Sequence, residues 1–222
     1  MGWLAIVPAA GSGSRLGRGE PKALVALGGR PLLQHALETL RQVPFERVVV
    51  AAPPDRLPEI ESLLGPSERA VPGGTTRAES VRLAFQALGA DDRDVIGIHD
   101  AARPFVSVAE IADVMRAAER DGASIAACPI VDTVKRALRG WVAETVDRTD
   151  LWAASTPQAF RADILRRALA GSTEATDEAA LCERLRIPVV ITPVSRLAFK
   201  VTTPEDLELA EAVLARDGTR GA

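Results

Sequence analysis

The feature that most constrains the fold is an alternation of short apolar runs with stretches of helical periodicity. Several apolar runs are almost continuous Val, Ile and Ala, which is typical of parallel strands buried on both faces. The predicted strands are Trp3–Val7, Arg47–Ala52, Val95–Ile98, Ser124–Pro129 and Pro188–Thr192. A repeated strand–helix order predicts an α/β fold with an open, mostly parallel, twisted Rossmann-like sheet and helices on both faces. We expect residues 1–222 to form one domain.

The predicted helices have recognisable starting signals. Thr76 with Glu79, and Ser107 with Glu110, have the spacing of a capping box. Thr203-Pro204 resembles an N-cap followed by proline and opens a helix through about Leu214. Further helices are predicted from Pro31 through Leu40, at Asp163–Ala170 and at Asp177–Leu185. The acids of Asp177-Glu178 are interpreted as a helix start that favours the helix dipole, with a metal role as the alternative.

One stretch, at about residues 132–150, breaks this rhythm. Val, Thr and Trp alternate with other residues on both sides of Arg139-Gly140, which predicts a β-hairpin arm. An isolated two-stranded hairpin is marginally stable in water. We therefore expect the arm to pack on another surface, and a partner subunit is the natural candidate.

Composition restricts the possible partners. The 222 residues are 47% hydrophobic and carry a net charge of −3, which argues against general affinity for nucleic acid or anionic membrane. No apolar run approaches the roughly 20 residues that a membrane helix needs, and the N-terminus resembles a strand rather than a signal peptide. Cys128 and Cys182 lack neighbours at ligand spacing, so neither zinc nor a disulfide is expected. A cytoplasmic protein is the resulting expectation.

Three polar segments fall at one edge of the predicted sheet. They are the loop Pro8–Lys22, the turn Pro72–Ser80 and the strand end His99–Pro104. Ligands of open α/β sheets bind outside the carboxyl ends of the strands, where these segments would meet.

The loop Pro8–Lys22 has the chemistry of a phosphate site. Its glycines allow backbone N–H groups to approach phosphate oxygens, and Arg15 and Lys22 add positive charge. It is neither a P-loop nor a GxGxxG fingerprint, so taken alone it is also compatible with a flexible connection.

The strand end His99–Pro104 adds an acid and a base. Asp100 can hold a metal or a ribose hydroxyl, and the Arg103 guanidinium can fork onto a phosphate. A surface ion pair between them is the alternative. His99 is interpreted as a hydrogen-bonded structural residue rather than a general base.

Together these motifs resemble the 2-C-methyl-D-erythritol 4-phosphate cytidylyltransferase family over nearly the whole chain. The first loop is shared with many nucleotidyltransferases, whereas the later motifs are more specific. The matching residues are Pro8-Ala9-Ala10-Gly11, Arg15, Pro21-Lys22, Gly73-Gly74, Arg77, Ser80, His99-Asp100-Ala101-Ala102-Arg103-Pro104, Asp132-Thr133, Lys135, Thr156-Pro157-Gln158, Lys200-Val201-Thr202 and Pro204-Glu205-Asp206-Leu207. The chain departs from the family at Ser12, where a bulky residue is common, and at Ala198-Phe199, where Asn-Ile is common.

The resemblance implies a reaction in which CTP and methylerythritol phosphate give the CDP-alcohol and pyrophosphate. It implies Mg²⁺ as cofactor and a homodimer whose arm reaches the neighbouring site. The implied catalytic residues are Arg15, Lys22, Arg148 and Lys200. The implied nucleotide-binding residues are Pro8, Ala9, Ala10, Gly11, Ser12, Gly13, Gly74, Ser80, Asp100 and Ala101. The implied substrate-binding residues are Arg103, Thr133, Arg148, Thr156 and Lys200, and Asp100 is the candidate metal ligand.

The residue chemistry agrees with such a reaction. A phosphate monoester is mostly dianionic at neutral pH and can attack phosphorus without a general base, so the site needs cations rather than a Ser–His pair. Two other hypotheses stay open. One is cytidylyl transfer to another polyol phosphate, such as ribitol 5-phosphate. The other is a glycosyltransferase-like or nucleotide-sensing protein, although an Asp-x-Asp motif at the strand end is missing from the sequence.

Overall fold

A seven-stranded sheet forms the centre of the protein. The computed structural model describes residues 1–17, 19–171 and 175–218. The strands are β1 (Trp3–Pro8), β2 (Ala26–Leu27), β3 (Arg30–Pro31), β4 (Phe45–Ala52), β5 (Glu68–Pro72), β6 (Val95–Ile98), β7 (Ala123–Pro129), β8 (Val134–Leu138), β9 (Trp141–Val146), β10 (Trp152–Arg161) and β11 (Val190–Pro193). The central order is β11-β7-β10-β6-β1-β4-β5, and only β10 is antiparallel to its neighbours. The predicted open, mostly parallel sheet is confirmed.

Helices cover both faces of this sheet. They are α1 (Leu32–Leu40), α2 (Leu57–Glu61), α3 (Arg77–Leu88), α4 (Val108–Asp121), α5 (Ala162–Leu169), α6 (Glu178–Arg184) and α7 (Pro204–Gly218). Alternate residues of β1 point to opposite faces of the sheet. Ala5 and Val7 pack in the apolar cluster that includes α1 and α4. Leu4 and Ile6 pack in the cluster that includes α3 and α5. This two-sided burial explains the near-continuous apolar runs.

The sequence signals marked most helix starts correctly. The capping box of Ser107 and Glu110 is complete, and the Thr76 hydroxyl accepts a bond from Glu79 N at 3.1 Å. Pro31 precedes α1 rather than beginning it, and α7 extends past Leu214. Among the described residues no helix combines the length and apolar character that a membrane span requires.

Two strands of the seven-stranded sheet were not predicted. β5 is a short edge strand that carries a glutamate and an arginine, so its apolar pattern is weak. β10 contains Pro157 and a polar run, which argue against a central strand, yet it pairs with both β6 and β7 around an irregularity between Ala154 and Gln158. Long-range pairing therefore overrides the local signal at β10.

The arm forms as predicted from the alternation. β8 and β9 pair antiparallel, and Arg139 and Gly140 both have positive φ, at 51° and 85°, as a two-residue hairpin turn with matching twist requires. The hairpin is a separate sheet, and Leu138 and Trp141 are 68% and 80% exposed within one chain. Its packing on a partner stays a prediction.

A third apolar cluster joins the first loop to the C-terminal helix. Leu16 and Leu27 are buried in this cluster together with Leu207 and Ala210 of α7. Residues from opposite ends of the chain are thereby held beside the carboxyl end of β1.

Candidate active site

A cleft of about 490 Å³ lies at the carboxyl ends of β1 and β6. Its size is within the range of small-molecule sites. Its walls come from the first loop, the turn before α3, the strand end after β6 and the segment around Lys200. Every residue predicted to bind the nucleotide lines it, as do three of the four predicted catalytic residues. These are Pro8, Ala9, Ala10, Gly11, Ser12, Gly13, Gly74, Ser80, Asp100 and Ala101, with Arg15, Lys22 and Lys200.

The first loop folds back on itself at Gly13. Gly13 has φ +68°, and a Cβ there would lie 2.9 Å from Glu20 O and 3.0 Å from Lys22 N. Lys22 N donates a hydrogen bond to Gly11 O at 3.1 Å. Only glycine suits this backbone conformation and close approach, so Gly13 allows the loop to bring Lys22 back to the cleft.

The Lys22 ammonium lies in a positive environment. Its Nζ donates to the Thr202 hydroxyl at 3.2 Å. Burial, together with the charges of Lys200 and Arg15, lowers the pKa of Lys22 to about 8, although the Asp100 carboxylate opposes this shift. An anionic ligand in the cleft would stabilise the charged form of this lysine.

Asp100 is the acid around which the cations gather. Its Oδ2 lies 2.8 Å from Lys200 Nζ and 3.7 Å from Arg103 Nε, and its Oδ1 lies 3.3 Å from Arg77 Nε. Burial acts to raise the pKa of Asp100, but these three positive charges outweigh burial and hold the pKa well below its usual range. The carboxylate is therefore ionised at neutral pH.

The cleft is strongly positive in a protein that is acidic overall. Among the residues that the structure describes, the cleft lining holds four cations, Arg15, Lys22, Arg77 and Lys200, and one carboxylate, Asp100, while the whole chain has a net charge of −3. Such local concentration of charge attracts polyanions and stabilises them once bound.

The turn between β5 and α3 packs directly against the first loop. A methyl group at Gly73 would overlap the Cβ of Ala10 and crowd Ala52 O at 3.2 Å. The Ser80 hydroxyl donates to Thr76 O at 2.9 Å and accepts from Gly74 N at 3.0 Å. Ser80 thus sets the shape of the turn and offers the ligand only its remaining acceptor capacity.

Four predicted residues lie outside the cleft lining. Thr156 is buried, and its hydroxyl accepts a bond from Asp100 N at 3.0 Å. Arg103 donates to Ala198 O at 2.6 Å, so both residues support the strand end from beside the cleft. Thr133 and Arg148 are exposed at the arm, where Arg148 donates to Val131 O. One chain does not bring these two residues to its own cleft.

His99 is a buried structural residue, in keeping with its sequence interpretation. Its ring nitrogens lie 3.3 Å from Arg103 O and 3.4 Å from the Thr156 hydroxyl. Burial lowers the pKa of His99 to about 4, so the ring is neutral at physiological pH.

Sequence reasoning assigned no role to Arg77 or Thr202, and it interpreted Glu178 as an acid at a helix start, with a metal role as the alternative. Arg77 lines the cleft and binds Asp100, and Thr202 lines it and binds Lys22. Glu178 is buried and pairs with Arg77. A cation immediately after the Thr76 cap, at the functional edge, is the signal that could have identified Arg77. The pairing of Arg77 with Asp100 and Glu178 has no local signal in the sequence.

The fold and the cleft define a nucleotide-binding α/β protein of the nucleotidyltransferase type. A profile described as 2-C-methyl-D-erythritol 4-phosphate cytidylyltransferase matches residues 3–216. The chain belongs to this family. The family and the cytidylyltransferase class expected from the sequence are confirmed.

Individual relatives agree across the full length of the chain. A 2-C-methyl-D-erythritol 4-phosphate cytidylyltransferase of Frankia casuarinae is 48% identical over 217 residues, which are 96% of this chain and 81% of the relative. One of Streptomyces coelicolor is 46% identical and covers 96% of this chain and 84% of the relative. The solved structure of the enzyme from Thermus thermophilus superposes with a TM-score of 0.81 and 34% identity, covering 97% of this chain and 100% of that one.

The contact between Gly73 and the first loop generates a stability prediction. Gly73→Ala is expected to lower the free energy of unfolding by about 1–3 kcal/mol, because the added methyl overlaps Ala10 and must displace the turn. Urea unfolding measures this change. In the control Gly65→Ala the methyl meets its nearest neighbour at 3.6 Å, so an effect below about 1 kcal/mol is expected. Equal stability of the two variants would contradict the tight packing.

Proposed function

We propose that the cleft binds CTP and that the enzyme transfers its CMP unit to 2-C-methyl-D-erythritol 4-phosphate. The products are 4-diphosphocytidyl-2-C-methyl-D-erythritol and pyrophosphate. The observation that supports this proposal most directly is that Arg15, Lys22 and Lys200 line one cleft together with Asp100 at one edge of the sheet. Two polyanions must meet in this reaction, and such a cation cluster overcomes their repulsion. Family membership supports the identity of both substrates.

The chemical step follows from these charges. An oxygen of the alcohol's phosphate forms a bond to the α-phosphorus of CTP. The bond from that phosphorus to the bridging oxygen breaks, and pyrophosphate leaves with the electron pair. The attacking phosphate is already dianionic, so no side chain needs to remove a proton. Arg15 and Lys22 in the first loop stabilise the charge that develops on the α- and β-phosphates.

We propose that the remaining walls of the cleft supply the base and ribose contacts. We assign the cytosine to the backbone of Ala9 and Ala10 together with the Gly74–Ser80 turn, as the family resemblance implies. These segments line the cleft, and Gly73 of the turn packs against Ala10. Asp100 is assigned to the ribose side. We assign the triphosphate to the backbone N–H groups of residues 11–13, together with Arg15 and Lys22.

We propose Mg²⁺ as the cofactor, and the side chains of the cleft fit one mode of binding. The described residues hold no cluster of three metal-ligating side chains, and Asp100 is the one carboxylate among the described lining residues. Mg²⁺ is commonly held by one or two carboxylates plus substrate phosphates, so this donor set fits a metal carried mainly by the triphosphate, with Asp100 as its protein ligand. When bound, the metal neutralises charge on the phosphates. The arrangement of Arg77 and Lys200 on Asp100 keeps that carboxylate ionised for the role.

We further propose a homodimer in which the arm completes the neighbouring site. Leu138, Trp141 and Val142 are large exposed apolar side chains on the hairpin, which is typical of a surface covered by a partner. Arg148 follows β9, and Thr133 precedes β8. If the arm lies against a second chain, both residues approach the substrate phosphate in the cleft of that second chain. Within a single chain, only Lys200 of the proposed phosphate-binding cations lines the cleft for this phosphate.

The substrate assignment predicts a specific pattern of pyrophosphate release. CTP with 2-C-methyl-D-erythritol 4-phosphate and Mg²⁺ should give the highest kcat/KM when the four nucleoside triphosphates are crossed with several polyol phosphates. Ribitol 5-phosphate is the matched comparison, since it also presents a phosphate and several hydroxyls. A preference for ribitol 5-phosphate would overturn the alcohol, and absence of pyrophosphate with every pair would overturn the transfer reaction.

The pKa of Lys22 predicts the alkaline limb of the pH profile. Because the lysine must be protonated to stabilise phosphate charge, kcat/KM for CTP should fall as pH rises through about 8, the pKa of the free enzyme's Lys22. Lys22→Arg should remove this limb, since a guanidinium stays protonated. Lys135→Arg on the arm is the control and should keep it. A limb near pH 8 that persists in Lys22→Arg would exclude Lys22 as its source.

The shared site predicts rescue between two inactive variants. Arg148→Ala damages the site that its arm enters, whereas Lys22→Ala damages the cleft of its own chain. A mixture exchanged to equilibrium should recover roughly a quarter of wild-type activity, because half of the dimers are mixed and each has one intact site. Mixing Lys22→Ala with Arg15→Ala is the control and should recover none. Failure of the first mixture under demonstrated subunit exchange would contradict the shared site.

A further inference from the structure

A buried carboxylate outside the cleft is bound to a residue that lines it. Glu178 is the first residue of α6, and its side chain is 1% exposed. Arg77 Nη1 donates to both of its oxygens, at 2.8 Å and 2.9 Å. A buried carboxylate is stable only when it is paired and hydrogen-bonded, so Glu178 and the outer end of the Arg77 guanidinium hold each other in place.

The same guanidinium reaches a second acid. Arg77 Nε donates to Asp100 Oδ1 at 3.3 Å, while Asp100 Oδ2 holds Lys200 Nζ at 2.8 Å. A guanidinium is planar and rigid, so fixing Nη1 on Glu178 also fixes how Nε faces Asp100. Glu178 is thus the outer end of a chain of charges that runs through Arg77 and Asp100 to Lys200.

Removing the charge of Glu178 would disturb the contacts of Asp100 and Lys200 at the inner end of this chain of charges. The Arg77 side chain lines the cleft and is 27% exposed. Once released, its guanidinium would be drawn onto Asp100, its other acidic partner, and would compete there with Lys200. Asp100 would then be less available to a ligand. Arg15 and Lys22 belong to the first loop, and the charges of Lys200 and Asp100 act on Lys22 without an ion pair between Lys22 and Asp100.

We propose that Glu178 is a positioning residue for CTP binding: it holds Arg77 so that Asp100 keeps the orientation in which it meets the nucleotide and Lys200. The inference rests on the proposed function and adds to it a residue on the far side of the cleft wall. It acts on affinity for CTP rather than on the rate of the chemical step, because the cations assigned to the α-phosphate are left in place.

The test is Glu178→Gln, which keeps the shape of the side chain and removes its charge. The expected result is a KM for CTP raised about tenfold with kcat changed less than about threefold, and a parallel rise in the Kd for CTP by calorimetry. Glu178→Asp keeps the charge but shortens the reach, so it should recover most of the affinity, with KM raised about threefold.

A second glutamate–arginine pair supplies the matched control. Glu68 is also 1% exposed and accepts bonds from Arg41 at 2.8 Å and 2.7 Å, but neither residue lines the cleft. Glu68→Gln should lower the urea midpoint of unfolding and leave the KM and Kd for CTP unchanged. This control separates a positioning effect from a general loss of stability.

The outcomes are distinct. A folded Glu178→Gln protein with wild-type KM and Kd for CTP overturns the inference, as does a fall in kcat at unchanged KM. If Glu178→Gln does not fold, wild-type CTP affinity in Glu178→Asp overturns it. If the wild-type enzyme releases no pyrophosphate, the proposed reaction fails, and the Kd values for CTP still decide the role of Glu178.

Discussion

The ionised carboxylate of Asp100 is the interaction on which the cleft depends. It lies in a buried position where a lone charge would be costly, and three cations make its ionisation favourable. Those cations would in turn repel one another without it. The result is a preorganised cluster in which positive charge exceeds negative charge, so a site for polyanions exists before any ligand arrives.

The fold brings this cluster together from distant parts of the chain. Parallel strands place the first loop and the Asp100 strand end on one edge, and burial of Leu16 with Leu207 carries the C-terminal segment to the same place. Lys22 and Thr202 can therefore bond although they are far apart in sequence. Close packing of the Gly73 turn on Ala10 fixes one wall of the cleft, and the loop segment that carries Arg15 and Lys22 forms another.

Particular residues show where prediction from the sequence works and where it stops. Ser107 with Glu110 and the Arg139-Gly140 turn were predicted correctly, because capping and turn formation depend on neighbouring residues. β10 was missed because Pro157 and its polar neighbours oppose a strand locally, and only pairing with β6 and β7 makes it one. Thr156 and Arg103 were expected at the substrate, and only the tertiary structure shows their bonds to Asp100 N and Ala198 O beside the cleft. Their contact with the substrate stays a prediction.

The sequence by itself determined the fold class and the composition of the functional edge. Burial on both faces requires near-continuous apolar runs, and parallel strands bring the glycines and charges that follow them to one side. Only the tertiary structure decided which charged side chains form ion pairs with one another. The pairing of Arg77 with both Glu178 and Asp100 joins three elements, and the lowered pKa of Lys22 arises from burial among cations of other segments. Such contacts depend on packing across the whole sheet, because electrostatic energy is set by distance and burial rather than by position along the chain.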